Sequence, residues 1–133
     1  MQPQKCVLVV DDDEDSRLIC RELLTYHGYL VAEADNGADG IEQARAISPD
    51  LVIVDLRLPE RNGIDVVRAL RAADAPQRPQ VVIYTADILA SRLCLETEGV
   101  AGLLIKPCPT TRILQEVERL IGPARLDGDG RAG

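Results

Sequence analysis

The segment DLVIVDLRLP, residues 50–59, decides the fold because it joins an uninterrupted apolar run to an acidic residue. Its apolar part, Leu51–Val54, is short and rich in β-branched side chains, as expected for a strand buried on both faces of a parallel sheet. Asp55 follows this run directly. The segment therefore predicts a buried strand that presents a carboxylate at its carboxyl end.

Apolar runs of the same kind occur on both sides of this segment, and stretches with helical spacing alternate with them. The other predicted strands are Cys6–Val10, Tyr29–Glu33, Val81–Tyr84 and Val100–Ile105. The predicted helices lie around Leu18–Leu24, Gly37–Ile47, Ile64–Leu70, Ile88–Leu95 and Ile113–Ile121. Five strands alternating with five helices predict one α/β domain, a doubly wound five-stranded parallel sheet with right-handed crossovers. Strand order does not follow from this pattern, although the flavodoxin-like order is common at this size.

Turn-forming residues mark the ends of the first and last predicted helices. His27-Gly28 is expected to stop the first helix. Gly122-Pro123 combines a C-terminal glycine with a proline that cannot continue the last helix. The stretch 124–133 has three glycines and no apolar period, so we expect it to be flexible.

Composition limits the classes of function. The chain has 133 residues and a net charge of −7, which fits one domain and argues against direct binding of nucleic acid. It has no apolar stretch of about 18 residues, so no membrane insertion is expected. Residues Met1–Lys5 are polar and lead straight into a strand, so we expect no signal peptide and a cytoplasmic location. The four cysteines show no CxxC spacing and lie in or beside apolar runs, which is typical of small buried residues.

Polar side chains follow four of the five predicted strands, at the strand ends where open α/β sheets bind ligands. Asp11 and Asp12 follow the first strand, Asp55 the third, Thr85 the fourth and Lys106 the fifth. Carboxylates offer the hard oxygen ligands that suit Mg²⁺, whereas a lysine and a hydroxyl suit the oxygens of a phosphoryl group. The single histidine lies at a helix end elsewhere, so the set does not fit Ser-His-Asp chemistry or a zinc site.

The acidic run after the first strand has two interpretations. Asp13–Asp15 fits a helix N-terminus, where capping and the helix dipole favour acidic side chains by about 0.5–2 kcal/mol. Asp11, Asp12 and Asp55 are not explained in this way, because two carboxylates about 4 Å apart repel by about 4 kcal/mol at an effective dielectric constant of about 20. A fold would keep that repulsion only if a cation relieved it, so we expect these three residues to hold a metal ion.

Four motifs, in order along the chain, resemble the receiver domain of two-component response regulators. They are VLVVDD at residues 7–12, DLVIVDLRLP at residues 50–59, YTA at residues 84–86 and IKP at residues 105–107. The resemblance covers Lys5–Ile121, nearly the whole chain. It implies a flavodoxin-like (βα)5 receiver domain over residues 5–122, with an N-terminal extension at 1–4 and a flexible C-terminal tail at 123–133.

The resemblance assigns roles to the residues that match. It implies that Asp55 accepts a phosphoryl group from a histidine kinase or a histidine phosphotransfer protein and becomes an acyl phosphate. Thr85 and Lys106 would each contact a phosphoryl oxygen. The cofactor would be Mg²⁺, held directly by Asp12, Asp55 and the main-chain carbonyl of Arg57, and through water by Asp11.

A receiver of this kind is a switch whose phosphorylation changes protein–protein contacts. The resemblance implies that it is not an enzyme, since it catalyses only its own phosphorylation and dephosphorylation. The Lys106–Pro107 peptide bond is expected to be cis. The first helix, around Ser16, Arg17 and Cys20, is expected to dock the kinase.

Two positions depart from the family pattern. Leu103 stands where family members usually carry a Tyr or Phe that swings inward on activation, and Cys108 stands where many have Phe. Phosphorylation does not depend on either residue, but the aromatic part of the usual coupling to the fourth helix is missing. Strand alternation points Tyr84 away from the side that Thr85 faces, so Tyr84 is not expected to replace that aromatic.

Two features beside the motifs indicate further contacts. Arg57 and Asp87 each lie two residues beyond a motif residue, and a salt bridge between them would either cover the acyl phosphate or be only a solvated surface pair. Ile88–Leu95 is more apolar than an exposed helix needs. This fits core packing, or a contact with a partner or with a second copy in a homodimer.

Two other functions stay open at this point. A degenerate receiver would act as a phosphorylation-independent protein-binding module, although the intact polar set argues against this. An Mg²⁺-dependent aspartyl phosphatase of the haloacid-dehalogenase type would need a second acid two residues after its nucleophile. This chain has Arg57 there, and it has no cap domain for a small substrate.

Overall fold

The computed structural model describes residues 4–60, 62–72 and 78–124. Within these ranges the strands and helices alternate in the predicted order. The strands are β1 (Cys6–Val10), β2 (Leu30–Ala34), β3 (Leu51–Val54), β4 (Gln80–Thr85) and β5 (Gly102–Ile105). The helices are α1 (Glu14–Tyr26), α2 (Gly37–Ile47), α3 (Gly63–Arg71), α4 (Ile88–Glu98) and α5 (Thr110–Ile121).

The five strands form one parallel sheet in the order β2-β1-β3-β4-β5. This is the flavodoxin-like order, and it confirms the doubly wound fold. Backbone hydrogen bonds continue the pairing one residue past the strand ends. The N–H of Asp55 donates to the Val10 carbonyl at 2.9 Å, and the N–H of Lys106 donates to the Thr85 carbonyl at 2.9 Å. The residues that follow neighbouring strands therefore meet at one end of the sheet.

Successive side chains of each strand enter two separate cores, one on each face of the sheet. Residues of the first core, on the side of α2, α3 and α4, include Leu8, Val10, Val52, Val54, Val66, Val67, Leu70, Ile83 and Cys94. Residues of the second core, on the side of α1 and α5, include Val7, Val9, Cys20, Leu24, Ile53, Tyr84, Leu104, Ile113 and Val117. The central strands are apolar on both faces because both faces are covered.

The region between α4 and β5 differs from the prediction. Helix α4 continues to Glu98 rather than ending near Leu95. It is ended by Gly99, whose φ of +69° lies in the left-handed region that favours glycine. The next residues form the connection, so β5 begins at Gly102 and not at Val100.

The carboxyl end of α5 is held by side chains at the amino end of the sheet, directly before β1 and β2. The Tyr29 hydroxyl donates to the Gly122 carbonyl at 2.6 Å. The ammonium of Lys5 donates to the Ile121 carbonyl. These bonds satisfy carbonyls that a helix end leaves without a partner in the helix. Helix α5 ends directly before the predicted stop at Gly122-Pro123.

The cysteines fall into two groups. Cys20 and Cys94 are buried, as predicted, whereas Cys6 and Cys108 are half-buried, and all four are free thiols. Burial raises the pKa of Cys20 to about 12 and that of Cys94 to about 11. Both thiols therefore stay protonated at neutral pH, which supports a packing role.

The two ends of the chain fall largely outside the described ranges. The predicted N-terminal extension is described only at Gln4, and the predicted flexible tail only as far as Ala124. Flexibility of the tail stays a prediction. Among the described helices, none combines the length and the apolar character that crossing a membrane requires.

Replacing Tyr29 with phenylalanine tests how α5 is anchored. Tyr29→Phe removes the hydrogen bond to the Gly122 carbonyl but keeps the ring in the second core. We expect the free energy of unfolding to fall by about 1 kcal/mol, the usual net contribution of one hydrogen bond. Urea denaturation followed by circular dichroism measures this change. Tyr26→Phe is the matched control, because Tyr26 is 80% exposed and should not affect stability. Equal stability of the two variants would contradict the proposed anchor.

Candidate functional site

The carboxyl end of the sheet brings three carboxylates together. Asp11 and Asp55 follow the adjacent strands β1 and β3, and Asp12 comes next along the chain. One carboxylate oxygen from each residue lies within 4.8 Å of the others. Asp11 is 2% exposed and Asp55 is 7% exposed, whereas Asp12 faces solvent. The cluster is therefore buried at Asp11 and Asp55 and open to solvent at Asp12.

Lys106 supplies the opposite charge from the edge strand. Its Nζ lies 2.7 Å from Oδ2 of Asp11 and 2.9 Å from Oδ2 of Asp55. Burial lowers the pKa of Lys106, but the hydrogen bonds and charges of the two aspartates outweigh burial and leave that pKa above its ordinary value. The lysine is therefore charged throughout the neutral pH range. The expected cis peptide bond between Lys106 and Pro107 is present.

The second oxygen of Asp55 is held from the other side. Its Oδ1 accepts hydrogen bonds from the Thr85 hydroxyl at 2.7 Å and from the Arg57 N–H at 2.9 Å. Thr85 is fully buried. Lys106, Thr85 and a backbone N–H thus fix the orientation of this carboxylate. The metal-binding role of the Arg57 carbonyl stays a prediction.

Asp11 and Asp13 have different environments. Burial raises the pKa of Asp11, and the hydrogen bond to Lys106 offsets this effect in part. Asp13 is the N-cap of α1: its side chain accepts hydrogen bonds from the N–H of Asp15 and from the hydroxyl of Ser16. The bond from Ser16 is the main reason that the pKa of Asp13 is lowered. The helix N-terminus interpretation is therefore correct for Asp13–Asp15, since Glu14 and Asp15 lie in the first turn of α1, whereas Asp11 belongs to the carboxylate cluster.

A close backbone approach supports the loop that carries Asp55. Asn62 caps α3 by accepting from the N–H of Ile64, and the N–H of Gly63 donates to the Leu56 carbonyl at 3.1 Å. A Cβ atom at Gly63 would lie only 2.3 Å from the Cα of Leu56. Only glycine allows α3 to begin this close to the loop after β3.

Two contacts around the site were not found from the sequence. The Tyr84 ring lies in the second core, on the predicted side, but its centroid is 5.1 Å from Nζ of Lys106. Burial raises the pKa of Tyr84 to about 12, so the ring is uncharged beside the ammonium. The guanidinium of Arg17 donates to the backbone carbonyl of Asp11 at 2.7 Å. The contact of Tyr84 with Lys106 could have been predicted from strand pairing, because both residues lie near the ends of the paired strands β4 and β5. Nothing in the residue spacing indicates the Arg17 contact.

The predicted salt bridge beside the site is present. The Nε of Arg57 lies 3.7 Å from a carboxylate oxygen of Asp87, and the Arg57 side chain is 69% exposed. Asp87 is also the N-cap of α4, where its side chain accepts from the N–H of Ala90 at 3.0 Å. The N–H of Asp87 donates to the Thr85 hydroxyl at 3.3 Å. The start of α4 is thus connected to Thr85 through Asp87.

The region expected to carry the signal has an apolar surface. Leu103, at the position of the usual aromatic, is half-buried and packs against the first core. On α4, Cys94 is buried, whereas Ile88, Leu89 and Leu93 are 53%, 82% and 54% exposed. The excess apolar character of this helix is therefore not explained by core packing alone.

The donor set fits Mg²⁺. Three carboxylates converge, and one of them is open to solvent, which suits an ion that keeps several waters. No histidine takes part, since His27 is the C-cap of α1. A lysine and a buried threonine hydroxyl beside the carboxylates suit the oxygens of a phosphoryl group.

Comparison with known proteins gives one consistent family. A family model described as the response regulator receiver domain matches residues 7–118. The chain is 29% identical over 118 residues to the chemotaxis protein CheY of Bacillus subtilis, covering 86% of this chain and 96% of that protein. It is 30% identical to CheY of Thermotoga maritima, covering 87% of this chain and 97% of that protein.

Solved structures agree with this result. One of them is the receiver domain of a sensor histidine kinase from Pseudomonas aeruginosa, which holds a magnesium ion in its active site cleft. It superposes with a TM-score of 0.81 at 26% identity, covering 90% of this chain and 99% of that chain. The chemotaxis response regulator CheY4 of Vibrio cholerae has a TM-score of 0.81 at 24% identity over 89% of this chain and 99% of that chain, which shows the shared fold.

The family defines the general behaviour of the chain. Receiver domains bind Mg²⁺ at an acidic pocket, interact with histidine kinases or phosphotransfer proteins, and typically transmit signals without being enzymes. Neither the binding-module alternative nor the phosphatase alternative is favoured by these matches. The chain belongs to the receiver domain family of response regulators and is a phosphorelay response regulator.

Proposed function

We propose that Asp55 accepts a phosphoryl group from the phosphohistidine of a kinase or phosphotransfer protein in an Mg²⁺-dependent reaction. The observation that carries this proposal is that Lys106 and Thr85 hold the two oxygens of one buried carboxylate, at 2.9 and 2.7 Å, beside two further aspartates. We assign this function to residues 5–122, which the segments 1–4 and 123–133 flank.

The chemistry is an in-line displacement at phosphorus. An oxygen of Asp55 forms a bond to phosphorus while the bond from phosphorus to the donor imidazole nitrogen breaks, and the electron pair of the broken bond stays with the imidazole. Lys106 and Thr85 are placed to pair with phosphoryl oxygens. When bound, Mg²⁺ would neutralise charge on those oxygens. Asp12, Asp55 and the main-chain carbonyl of Arg57 would hold it directly, and Asp11 would hold it through water.

Phosphorylation would change the partners of Thr85. Its hydroxyl now donates to Asp55, and a phosphoryl group would offer acceptor oxygens further from β3. Because the N–H of Asp87 bonds the same hydroxyl, a shift of Thr85 would reach the first turn of α4. This route does not need an aromatic residue at Leu103. The exposed apolar side chains of α4 are then the proposed contact for a downstream protein or for a second copy in a homodimer.

The remaining assignments follow from the family and from the charge. We assign kinase docking to the exposed side of α1 around Arg17, because Ser16 and Cys20 in the predicted docking region are buried. We also assign a cytoplasmic location, where such kinases deliver phosphoryl groups. The net charge of −7 argues against direct binding of nucleic acid. We also propose that the chain catalyses only its own phosphorylation and dephosphorylation.

Intact-mass measurement tests the phosphoacceptor directly. Wild-type protein incubated with acetyl phosphate and Mg²⁺ should gain the mass of one phosphoryl group, because an activated small-molecule donor can replace phosphohistidine. Chelation of Mg²⁺ should abolish the gain. Asp55→Asn should show none, since an amide cannot form the acyl phosphate. An adduct of equal yield in Asp55→Asn would contradict the assignment of Asp55.

Removal of the salt bridge beside the site tests whether this pair slows hydrolysis of the acyl phosphate. Asp87→Asn removes the ion pair with Arg57, but asparagine can still cap α4. If the pair shields the acyl phosphate from water, dephosphorylation should become faster by up to about fivefold, the rate equivalent of the roughly 1 kcal/mol that an exposed ion pair contributes. Release of inorganic phosphate from the phosphorylated protein measures this rate. Asp65→Asn, which removes an exposed ion pair with Arg68 on α3, is the control. Identical rates in the two variants would show that the Arg57–Asp87 pair is only a surface contact.

A further inference from the structure

Arg17 connects the carboxylate cluster to the neighbouring edge of the sheet. It lies in the first turns of α1, and its Nη1 donates to the backbone carbonyl of Asp11 at 2.7 Å. Its Nε donates to a carboxylate oxygen of Glu33, on β2, at 3.3 Å. The Arg17 side chain is only 17% exposed. One rigid guanidinium thus joins β2 to the turn that follows β1.

The Asp11 carbonyl that Arg17 contacts belongs to the peptide unit between Asp11 and Asp12. The N–H of Asp11 donates to the Ala34 carbonyl at 3.0 Å, so the sheet fixes one side of Asp11. The contact with Arg17 fixes the other side, which is the plane of the next peptide. Among the described residues, none forms a hydrogen bond with the carboxylate of Asp12. The position of this exposed carboxylate therefore depends on the backbone that carries it.

We propose that Arg17 is a positioning residue for the metal site: by holding the Asp11 carbonyl, it orients Asp12 toward Asp11 and Asp55. This inference rests on the proposed Mg²⁺ site. Arg17 lies outside the predicted ligand set and acts through the backbone. Residues that orient metal ligands typically contribute about 10-fold or more to metal affinity.

The direction in which the Mg²⁺ affinity changes distinguishes positioning of Asp12 by Arg17 from a purely electrostatic effect of the Arg17 charge. Arg17 is a cation near a cation site, so removal of its charge alone should strengthen Mg²⁺ binding. Loss of its hydrogen bond to the Asp11 carbonyl should weaken Mg²⁺ binding. Arg21 provides the matched comparison, because its Nη1 bonds the same Glu33 at 2.9 Å without an observed bond to Asp11. Arg21 is also more exposed, at 44% against 17% for Arg17.

Isothermal titration calorimetry with MgCl₂ on the full chain measures the outcome. We expect Arg17→Gln to raise the Kd for Mg²⁺ by about 10-fold, and Arg21→Gln to leave it unchanged or slightly lower. Arg17→Lys keeps an N–H donor that can bond the Asp11 carbonyl but lacks the planar fork that contacts Glu33 at the same time, so we expect a smaller rise in Kd. Circular dichroism establishes that each variant is folded. If Arg17→Gln does not fold, the comparison of Arg17→Lys with wild type decides.

The possible outcomes distinguish this inference from the proposed function. Wild-type protein that binds no Mg²⁺ would overturn the metal site itself. Wild-type protein that binds Mg²⁺, with equal or tighter binding in Arg17→Gln and in Arg17→Lys, would overturn only the role of Arg17. Weaker binding in both Arg17 variants but not in Arg21→Gln supports positioning through the backbone.

Discussion

The ammonium of Lys106, between the carboxylates of Asp11 and Asp55, is the interaction on which the site depends. A parallel sheet with β1 beside β3 places both acidic residues at the same end, where two carboxylates about 4 Å apart repel by about 4 kcal/mol at an effective dielectric constant of about 20. A cation between the two side chains offsets that repulsion. Strand β5 supplies it from the sheet edge. Lys106 offsets the charge of only one of the three carboxylates, so the cluster keeps negative charge that attracts a metal cation.

Most of the fold and the members of the site could be predicted because they depend on short-range patterns. The apolar run Leu51–Val54 requires burial on both faces, and a polar residue directly after such a run must lie at the end of the sheet. The same reasoning locates Asp11, Asp55 and Thr85 without knowledge of the strand order. The helix limits were predictable where a cap or glycine stops the helix, as at Gly122. At α4 the prediction stopped too early, because its stop is Gly99, beyond the last apolar residue of the pattern.

Contacts that join different elements could not be predicted in this way. The cation–π contact of Tyr84 with Lys106 depends on the path of a flexible lysine side chain across a strand end. The bond from Arg17 to the Asp11 carbonyl reaches back from a helix to the backbone before it, and residue spacing does not encode such a rotamer. Both contacts surround the predicted residues and restrict their orientation. The sequence therefore predicts which residues form the site, whereas these contacts determine how those residues are oriented.

The most direct test of this account is the stability of Asp12→Asn with and without Mg²⁺, measured by urea denaturation. Without metal, removal of one of three like charges should make the variant about 1 kcal/mol more stable than wild type, given the exposure of Asp12. With Mg²⁺ at about 100 times its Kd, wild type should gain about 2.7 kcal/mol and become the more stable protein. A metal site at Asp11, Asp12 and Asp55 would be contradicted if Mg²⁺ did not stabilise wild type, or if the variant were already the less stable protein without metal.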